Sequence, residues 1–92
     1  MLGFLLGKMS SFRFEGVRFA AYSMDHGPRH VHGFYADVEV IVGLRPDGKV
    51  SLANRTDAIR PSNGSKSDAR HVLSVAARHF NELVILWEKH RG

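Results

Sequence analysis

The last third of the chain carries an apolar stripe with the period of an α-helix. From Ser67 onward, apolar residues recur at intervals of three and four, as one face of a helix requires. They are Ala69, Val72, Ala76, Phe80, Leu83 and Trp87, flanked by Leu73 and Val84. Ser67 is a suitable N-cap, and Asp68 falls in the first turn, where a negative charge is favourable. The pattern predicts one long amphipathic helix over residues 67–90, which must pack its apolar face on another element.

The chain before this helix alternates between short apolar stretches and turn residues, as in an antiparallel sheet. The segment "FRFEGVRFAAYS" predicts a hairpin whose two-residue loop is Glu15-Gly16. The pairs across this hairpin are Phe12 with Phe19, Arg13 with Arg18, and Phe14 with Val17. Since the apolar pairs share one face, that face is predicted to be buried.

A second hairpin is predicted around "RPDGK". Its proline presets the second position of a type I turn, and its glycine can take the left-handed conformation. The turn joins the apolar strand "DVEVIVGL" to "KVSLA" and pairs Leu44 with Val50 and Val42 with Leu52. Upstream, "HVHGF" also has strand character.

Several strands followed by one helix predict a two-layer α+β domain, with the helix packed across an antiparallel sheet. We expect four to five strands within residues 12–53, a polar surface loop over residues 54–66, and the element order βββββα. The 92 residues suffice for one domain. Residues 1–9 are expected to form a frayed extension, since translation can also begin at Met9.

The composition limits the chemistry and the surroundings. The chain has no cysteine, which excludes disulfides, thiolate metal sites and cysteine nucleophiles and fits a reducing, cytoplasmic location. A formal net charge of +4 favours a polyanionic partner, either RNA or another nucleic acid or an acidic protein. The apolar start is too short to span a bilayer and lacks the parts of a secretion signal, so no membrane association is expected. The local motifs of nucleotide-binding loops, zinc proteases and serine hydrolases are missing.

The segment "YSMDHGPRHVHGFY" contains three of the six histidines. In a strand, His30 and His32 point to the same face, a spacing at which two imidazoles can bind one ion. Asp25 or His26 can reach that ion from across the turn. These four residues are one candidate set of metal ligands.

The same histidines also fit proton transfer. Imidazole titrates near neutrality, so His26, His30 and His32 are candidate catalytic acids and bases. Candidate nucleic-acid-binding residues, which would contact phosphate, are Arg13, Arg18 and Arg29. Together they predict a ribonuclease that needs neither a metal nor another cofactor, with a base for the 2′-hydroxyl and an acid for the leaving oxygen.

A third interpretation gives the segment a structural role. Asp25 can accept hydrogen bonds from backbone N–H groups after a strand, and the two strand histidines can donate to backbone carbonyls. In the helical segment, His71 is expected to be solvated, and His79 and His90 to border the apolar stripe. The residues alone leave the three interpretations open.

Residues 14–42, "FEGVRFAAYSMDHGPRHVHGFYADVEVIV", resemble a bacterial domain-of-unknown-function family with the pattern G-x-R-F-x-x-Y-S-x-D-H-x-P-x-H-V-H. The matching residues are Gly16, Arg18, Phe19, Tyr22, Ser23, Asp25, His26, Pro28, His30, Val31 and His32. Members continue into an acidic-apolar strand and end in a long helix with a late tryptophan, as Trp87 is here. They are often labelled toxin–antitoxin-associated and encoded beside a second small protein. The resemblance therefore implies a small cognate partner protein and marks residues 25–32 as the site.

The leading hypothesis from the sequence is a small basic component of a toxin–antitoxin-like pair. It would bind RNA, and cleave it, through the histidine-rich turn and strand. The alternative is a non-enzymatic module that binds nucleic acid or protein, in one version with a metal held by the histidines.

Overall fold

Six strands and two helices follow one another in the computed structural model, which describes residues 9–89. They are β1 (Met9–Phe14), β2 (Val17–Tyr22), β3 (His30–Tyr35), β4 (Val38–Leu44), β5 (Val50–Leu52), β6 (Ile59–Arg60), α1 (Lys66–Arg78) and α2 (Phe80–Glu88). The sheet is antiparallel in the order β1-β2-β3-β4-β5, with β6 also paired to β4. This confirms the α+β class with the helical region after the sheet. The expected extension falls on residues 1–8, outside the described residues, and on Met9, which begins β1.

The first hairpin has the predicted register. Phe12 pairs with Phe19 and Arg13 with Arg18, around a loop whose two residues both have positive φ, 51° at Glu15 and 83° at Gly16. Such a loop matches the right-handed twist of the two strands that it joins. The register places the apolar side chains of β2 in the core.

The second hairpin is also as predicted, but the sheet extends further along the chain. Leu44 pairs with Val50 and Val42 with Leu52. After a short excursion, β6 pairs with the preceding part of β4, so that β5 and β6 lie end to end along the same edge. Ile41 links them, because its N–H donates to the carbonyl of Ala58 and its own carbonyl accepts from the N–H of Ala53. The segment 54–66, predicted as a loop, therefore contains a strand.

The core lies between the sheet and the helices. Alternate residues of the strands meet the helix stripe, and the fully buried side chains among them include Phe19, Val31, Val40, Val42, Val72, Val75, Leu83 and Leu86. Gly33 allows α1 to approach the sheet closely, since a Cβ at this position would lie 2.5 Å from Cγ1 of Val72. In the described part of the chain, no helix is long and apolar enough to cross a membrane.

The helical region begins earlier than predicted. α1 starts at Lys66, because the N–H of Asp68 donates to Oγ of Ser65 at 3.2 Å, which makes Ser65 the N-cap in place of Ser67. Both serines have the right chemistry for a cap. The sequence pattern could not choose between them, since the apolar stripe begins only at Ala69.

The single long helix predicted over residues 67–90 is two helices, and His79 separates them. The His79 backbone leaves helical geometry, with φ −120° and ψ 30°. Its ring stacks on Phe14 with centroids 3.9 Å apart, and its Nε2 lies 3.1 Å from a carboxylate oxygen of Glu15. These contacts with the first hairpin favour the break. Since only one residue separates the two helices, the apolar residues keep the same helical spacing on both sides of it. The sequence pattern therefore could not reveal the break.

Candidate functional site

The turn between β2 and β3 directs Asp25 back toward the sheet. The Asp25 N–H donates to the carbonyl of Tyr22 at 3.0 Å, and the Asp25 carboxylate accepts from the Tyr22 N–H at 3.1 Å. This pair of bonds closes the turn in the way that short polar side chains favour. It fixes the carboxylate beside the first residues of β3.

His30 and His32 meet Asp25 at this point. Alternation along β3 places Val31 in the core and keeps the two imidazoles together, with ring centroids 5.4 Å apart. His30 Nε2 lies 3.7 Å from Oδ1 of Asp25, and His32 Nε2 lies 3.3 Å from Oδ2. One donor atom from each of the three residues lies within 4.8 Å of the other two. We call this group the His/Asp cluster.

The other nitrogen of each imidazole, Nδ1, also has a hydrogen-bond partner. His30 Nδ1 lies 2.9 Å from the carbonyl oxygen of Pro28, and His32 Nδ1 lies 2.9 Å from Oε2 of Glu39. Both partners are hydrogen-bond acceptors, so the tautomer with a proton on each Nδ1 satisfies both contacts. In the neutral imidazole, each Nε2 then has a lone pair, and both lone pairs face Asp25.

The His/Asp cluster is largely shielded from water. The side chains of His30 and His32 are 12% and 10% exposed, and that of Asp25 is 16% exposed. The Trp87 indole lies 5.1 Å from the His30 ring, and the Tyr22 ring lies 4.9 Å from that of His32. These aromatic walls restrict the rotation of both imidazoles, so the site is ordered by packing as well as by hydrogen bonds.

The fourth candidate ligand, His26, does not join the cluster. It is exposed and lines a neighbouring cleft instead. The structure thus brings together three of the four residues that the sequence suggested as ligands, and two of the three that it suggested as catalytic histidines.

The three arginines suggested as phosphate ligands do not form one group. Arg13 is exposed and pairs with Arg18 across the β1–β2 ladder, while the Arg18 guanidinium lies 4.4 Å from the centre of the Phe34 ring. Arg29 is attached to the end of β4, where it donates to the carbonyls of Leu44 and Arg45 at 3.3 and 3.2 Å.

A cleft of about 430 Å³ adjoins the cluster, and His30 forms part of its wall. Its polar lining includes His26, Arg29, Arg45, Asn54 and Arg55. We call it the arginine cleft. It lies between the β2–β3 turn, the end of β4 and the chain that follows β5.

Ion pairs surround the site on the β6 side. Asp57 accepts hydrogen bonds from Arg55 and Arg60, which hold the pKa of its carboxyl well below the usual range. Arg60 also donates to Oε1 of Glu39 at 3.5 Å. Glu39 is thereby shared between this network and His32, and its carboxylate is oriented from both sides.

Sequence reasoning missed Glu39. The sequence does contain a sign of its role, because Glu39 is the polar residue between two core valines in "DVEVIV". Alternation along the strand therefore places Glu39 on the face of β4 that carries Ile41. Ile41 pairs with His32, so Glu39 is the diagonal neighbour of His32 on that face. The β3–β4 register was needed to see this.

The remaining described histidines lie at the other end of the sheet. His71 Nε2 lies 3.2 Å from the carbonyl oxygen of Glu15, and its ring contacts Tyr35, so His71 is less solvated than expected. His79 packs on Phe14 at the border of the apolar stripe, as expected. His90 lies outside the described residues. His71 and His79 are therefore candidates for packing and not for the site.

Comparisons with known proteins add no assignment. No protein-family model matches the chain, and no match is found among curated proteins or solved structures.

Proposed function

We propose that this protein binds a divalent transition-metal ion of the zinc type through Asp25, His30 and His32. The observation that carries the proposal is the convergence of the two Nε2 atoms on one carboxylate while both Nδ1 atoms are hydrogen-bonded from behind. Histidines that bind metals characteristically donate their second N–H to a carbonyl or a carboxylate, which orients the ring and raises its basicity.

The distances suit such an ion. A tetrahedral ion with ligand bonds of about 2.0–2.1 Å has neighbouring ligands about 3.3–3.4 Å apart. The separations from Asp25 oxygens to Nε2 of His32 and His30 are 3.3 and 3.7 Å. The two distances involve different oxygens, and Oδ1, which lies 3.7 Å from Nε2 of His30, lies 3.5 Å from Nε2 of His32. Since the three donor atoms lie within 4.8 Å of one another, rotations of all three side chains would bring them to one ion.

The donor set also selects the class of metal. Imidazole and carboxylate together suit zinc and its neighbours, whereas magnesium and calcium prefer oxygen ligands throughout. Three protein ligands leave a coordination position for water or another ligand, which is the arrangement of catalytic zinc sites and not of closed structural ones. A bound ion would make water at that position more acidic.

Titration calorimetry with zinc tests the proposal on untagged protein freed of metal by a chelator. We expect one zinc ion per chain. Asp25→Asn, His30→Ala and His32→Ala should each weaken binding more than about 100-fold, because losing a direct ligand costs at least as much as losing an outer partner. His26→Ala tests the one candidate ligand outside the cluster, and His71→Ala is the matched control; both should bind as the original protein does.

Unchanged zinc affinity in His32→Ala would overturn the metal proposal. The proposal would also be overturned if His26→Ala lost zinc binding while the three cluster variants kept it. Thermal unfolding of each variant without metal establishes that it is folded, and where an alanine variant is not, glutamine replaces alanine at the same position.

A second candidate function is the RNA cleavage suggested by the sequence, with His30 and His32 transferring protons without a metal. It is favoured by the Glu39–His32 hydrogen bond, which orients the imidazole as a base requires, and by the cationic cleft beside His30. RNA should then be cleaved in the presence of a chelator, and the double variant His30→Ala, His32→Ala should abolish cleavage. Full cleavage by that double variant would contradict it.

If the protein binds RNA without cleaving it, the salt dependence of the binding affinity tests this function. Binding of RNA through arginine–phosphate contacts must weaken steeply as salt is added, whereas docking of an apolar partner changes little. The cognate partner protein and the toxin–antitoxin association stay predictions of the family resemblance, and co-expression with a neighbouring small gene product tests them.

A further inference from the structure

The arginine cleft has a charge pattern that favours one class of ligand. Three arginines and two histidines line it, and no carboxylate does so in the part of the chain that the structure describes. Arg29 is positioned by the backbone carbonyls of Leu44 and Arg45. Because the lining concentrates positive charge in a concave surface, the cleft attracts an anion.

The other two arginines have acidic partners outside the lining. Arg45 pairs with Asp47 at 2.8 Å, and Arg55 pairs with Asp57, all four side chains being between 41% and 53% exposed. Exposed pairs of this kind contribute little stability and exchange readily. The pairs use Nη2 of Arg45 and both Nε and Nη2 of Arg55. Since a guanidinium has five N–H donors, each group can also donate to a ligand.

The rest of the lining is apolar. Pro28, Leu44, Pro46, Leu52 and Ala53 contribute to the wall, and Leu52 is 41% exposed although it is a large hydrophobic residue. A cleft of about 430 Å³ is within the size range of small-molecule sites. The ligand that fits this lining carries both an anionic group and an apolar group.

We propose that the arginine cleft binds a nucleotide through its terminal phosphate, with the base against the apolar wall. A terminal phosphate carries up to two charges and three free oxygens, so it can accept from three guanidinium groups, whereas a carboxylate has one charge and two oxygens. The inference rests on the proposed metal site in one respect: His30 is both a wall of the cleft and a metal ligand, so the phosphate lies beside the ion.

The test is calorimetric titration of zinc-loaded protein with adenosine 5′-monophosphate, and with adenosine as the uncharged comparison. We expect the monophosphate to bind and adenosine to bind at least about tenfold more weakly, because charge-assisted hydrogen bonds are lost. Arg45→Gln and Arg55→Gln should each weaken monophosphate binding about tenfold. Arg70→Gln, which removes an exposed arginine of α1 outside the cleft, is the control and should change nothing.

Two further arms separate the sources of the phosphate. A trinucleotide RNA with a 5′-phosphate, compared with its 5′-hydroxyl form, reports whether the cleft accepts an RNA end or only a free nucleotide. Equal binding of the monophosphate and adenosine, or full binding in both arginine variants, would overturn the inference.

Failure of this inference and failure of the metal proposal are distinguishable. Zinc bound by the His/Asp cluster without any affinity for the monophosphate overturns the cleft assignment and leaves the metal site standing. Absence of zinc binding overturns the metal site and, with it, the position of the phosphate beside an ion.

Discussion

His32 has a carboxylate at each ring nitrogen, and this pairing defines the site at the level of single residues. Glu39 accepts from Nδ1 at 2.9 Å, and Asp25 lies 3.3 Å from Nε2. The imidazolium form can donate to both carboxylates, whereas a metal ion can replace the proton at Nε2 and keep the bond at Nδ1. The two carboxylates thus have different roles, Asp25 as a ligand and Glu39 as an orienting partner.

The role of Glu39 gives the first prediction. Glu39→Gln should weaken zinc binding about 10–100-fold, because an amide orients the ring less strongly and leaves it less basic. Asp57→Asn is the matched control, since it also removes one carboxylate from the network of Arg60 but does not contact His32. Competition with a chromogenic chelator measures both affinities, and equal values for the two variants would contradict the assignment of Glu39.

Glu15 gives a prediction about pH. Hydrogen bonds from Arg78 and then His79 lower the pKa of its carboxyl from 4.5 to about 2. Because the pKa is lower in the folded protein, the stabilisation is present above the unfolded value and is lost as pH falls through about 2. Glu15→Gln should therefore be less stable than the original protein at pH 6, and the difference should disappear near pH 2.

Urea unfolding at a series of pH values measures this difference. Glu82→Gln serves as the comparison, since Glu82 lies in the first turn of α2 and its nearest contact to His79 is 3.7 Å. A gap between Glu15→Gln and the original protein that stays constant from pH 6 to pH 2 would contradict the account.

At the level of secondary-structure elements, the start of α1 decides which of two serines caps the helix, a choice that the sequence left open. Ser65→Ala should lower the free energy of unfolding by about 1 kcal/mol, because the Asp68 N–H loses its acceptor. Ser67→Ala should cost clearly less, since Ser67 lies inside the helix and its hydroxyl contacts the Ser65 hydroxyl, with no backbone N–H as its partner among the described residues. Chemical denaturation of both variants measures the two changes in the free energy of unfolding. A larger loss of stability in Ser67→Ala would show that Ser67, as the sequence predicted, is the N-cap.

The division of the helical region at His79 is likewise an effect between elements. Arg78 and His79 both contact Glu15, more than sixty positions away in sequence. Arg78 forms its ion pair with this residue of the first hairpin and not with a neighbour on its own helix. Local pattern could not reveal this, because the contact exists only once the hairpin and the helices have packed.

At the scale of the whole molecule, what could be predicted depended on local geometry. Both hairpin registers followed from their turns, because a turn type fixes which residues face each other. The shared orientation of His30 and His32 followed from the strand period. The segment after β5 was different: β6 is only two residues long, in polar sequence, and the pairing with β4 decides its conformation.

For the same reason, only some residues of the site could be predicted from the sequence. Asp25 joins the cluster because the turn folds back on Tyr22, and His26, its neighbour in the chain, points instead to the arginine cleft. Glu39 comes from the next strand, across a register that the sequence did not define. Residues contributed by one strand could be named, whereas those brought by neighbouring elements needed the assembled sheet.

Anomalous diffraction would show directly whether Asp25, His30 and His32 bind one metal ion. Crystals grown with zinc would be measured on both sides of the zinc absorption edge. We expect one strong anomalous peak about 2.0–2.2 Å from Nε2 of His30, Nε2 of His32 and an oxygen of Asp25. Full zinc occupancy only at exposed His26, or no peak within the His/Asp cluster, would contradict it.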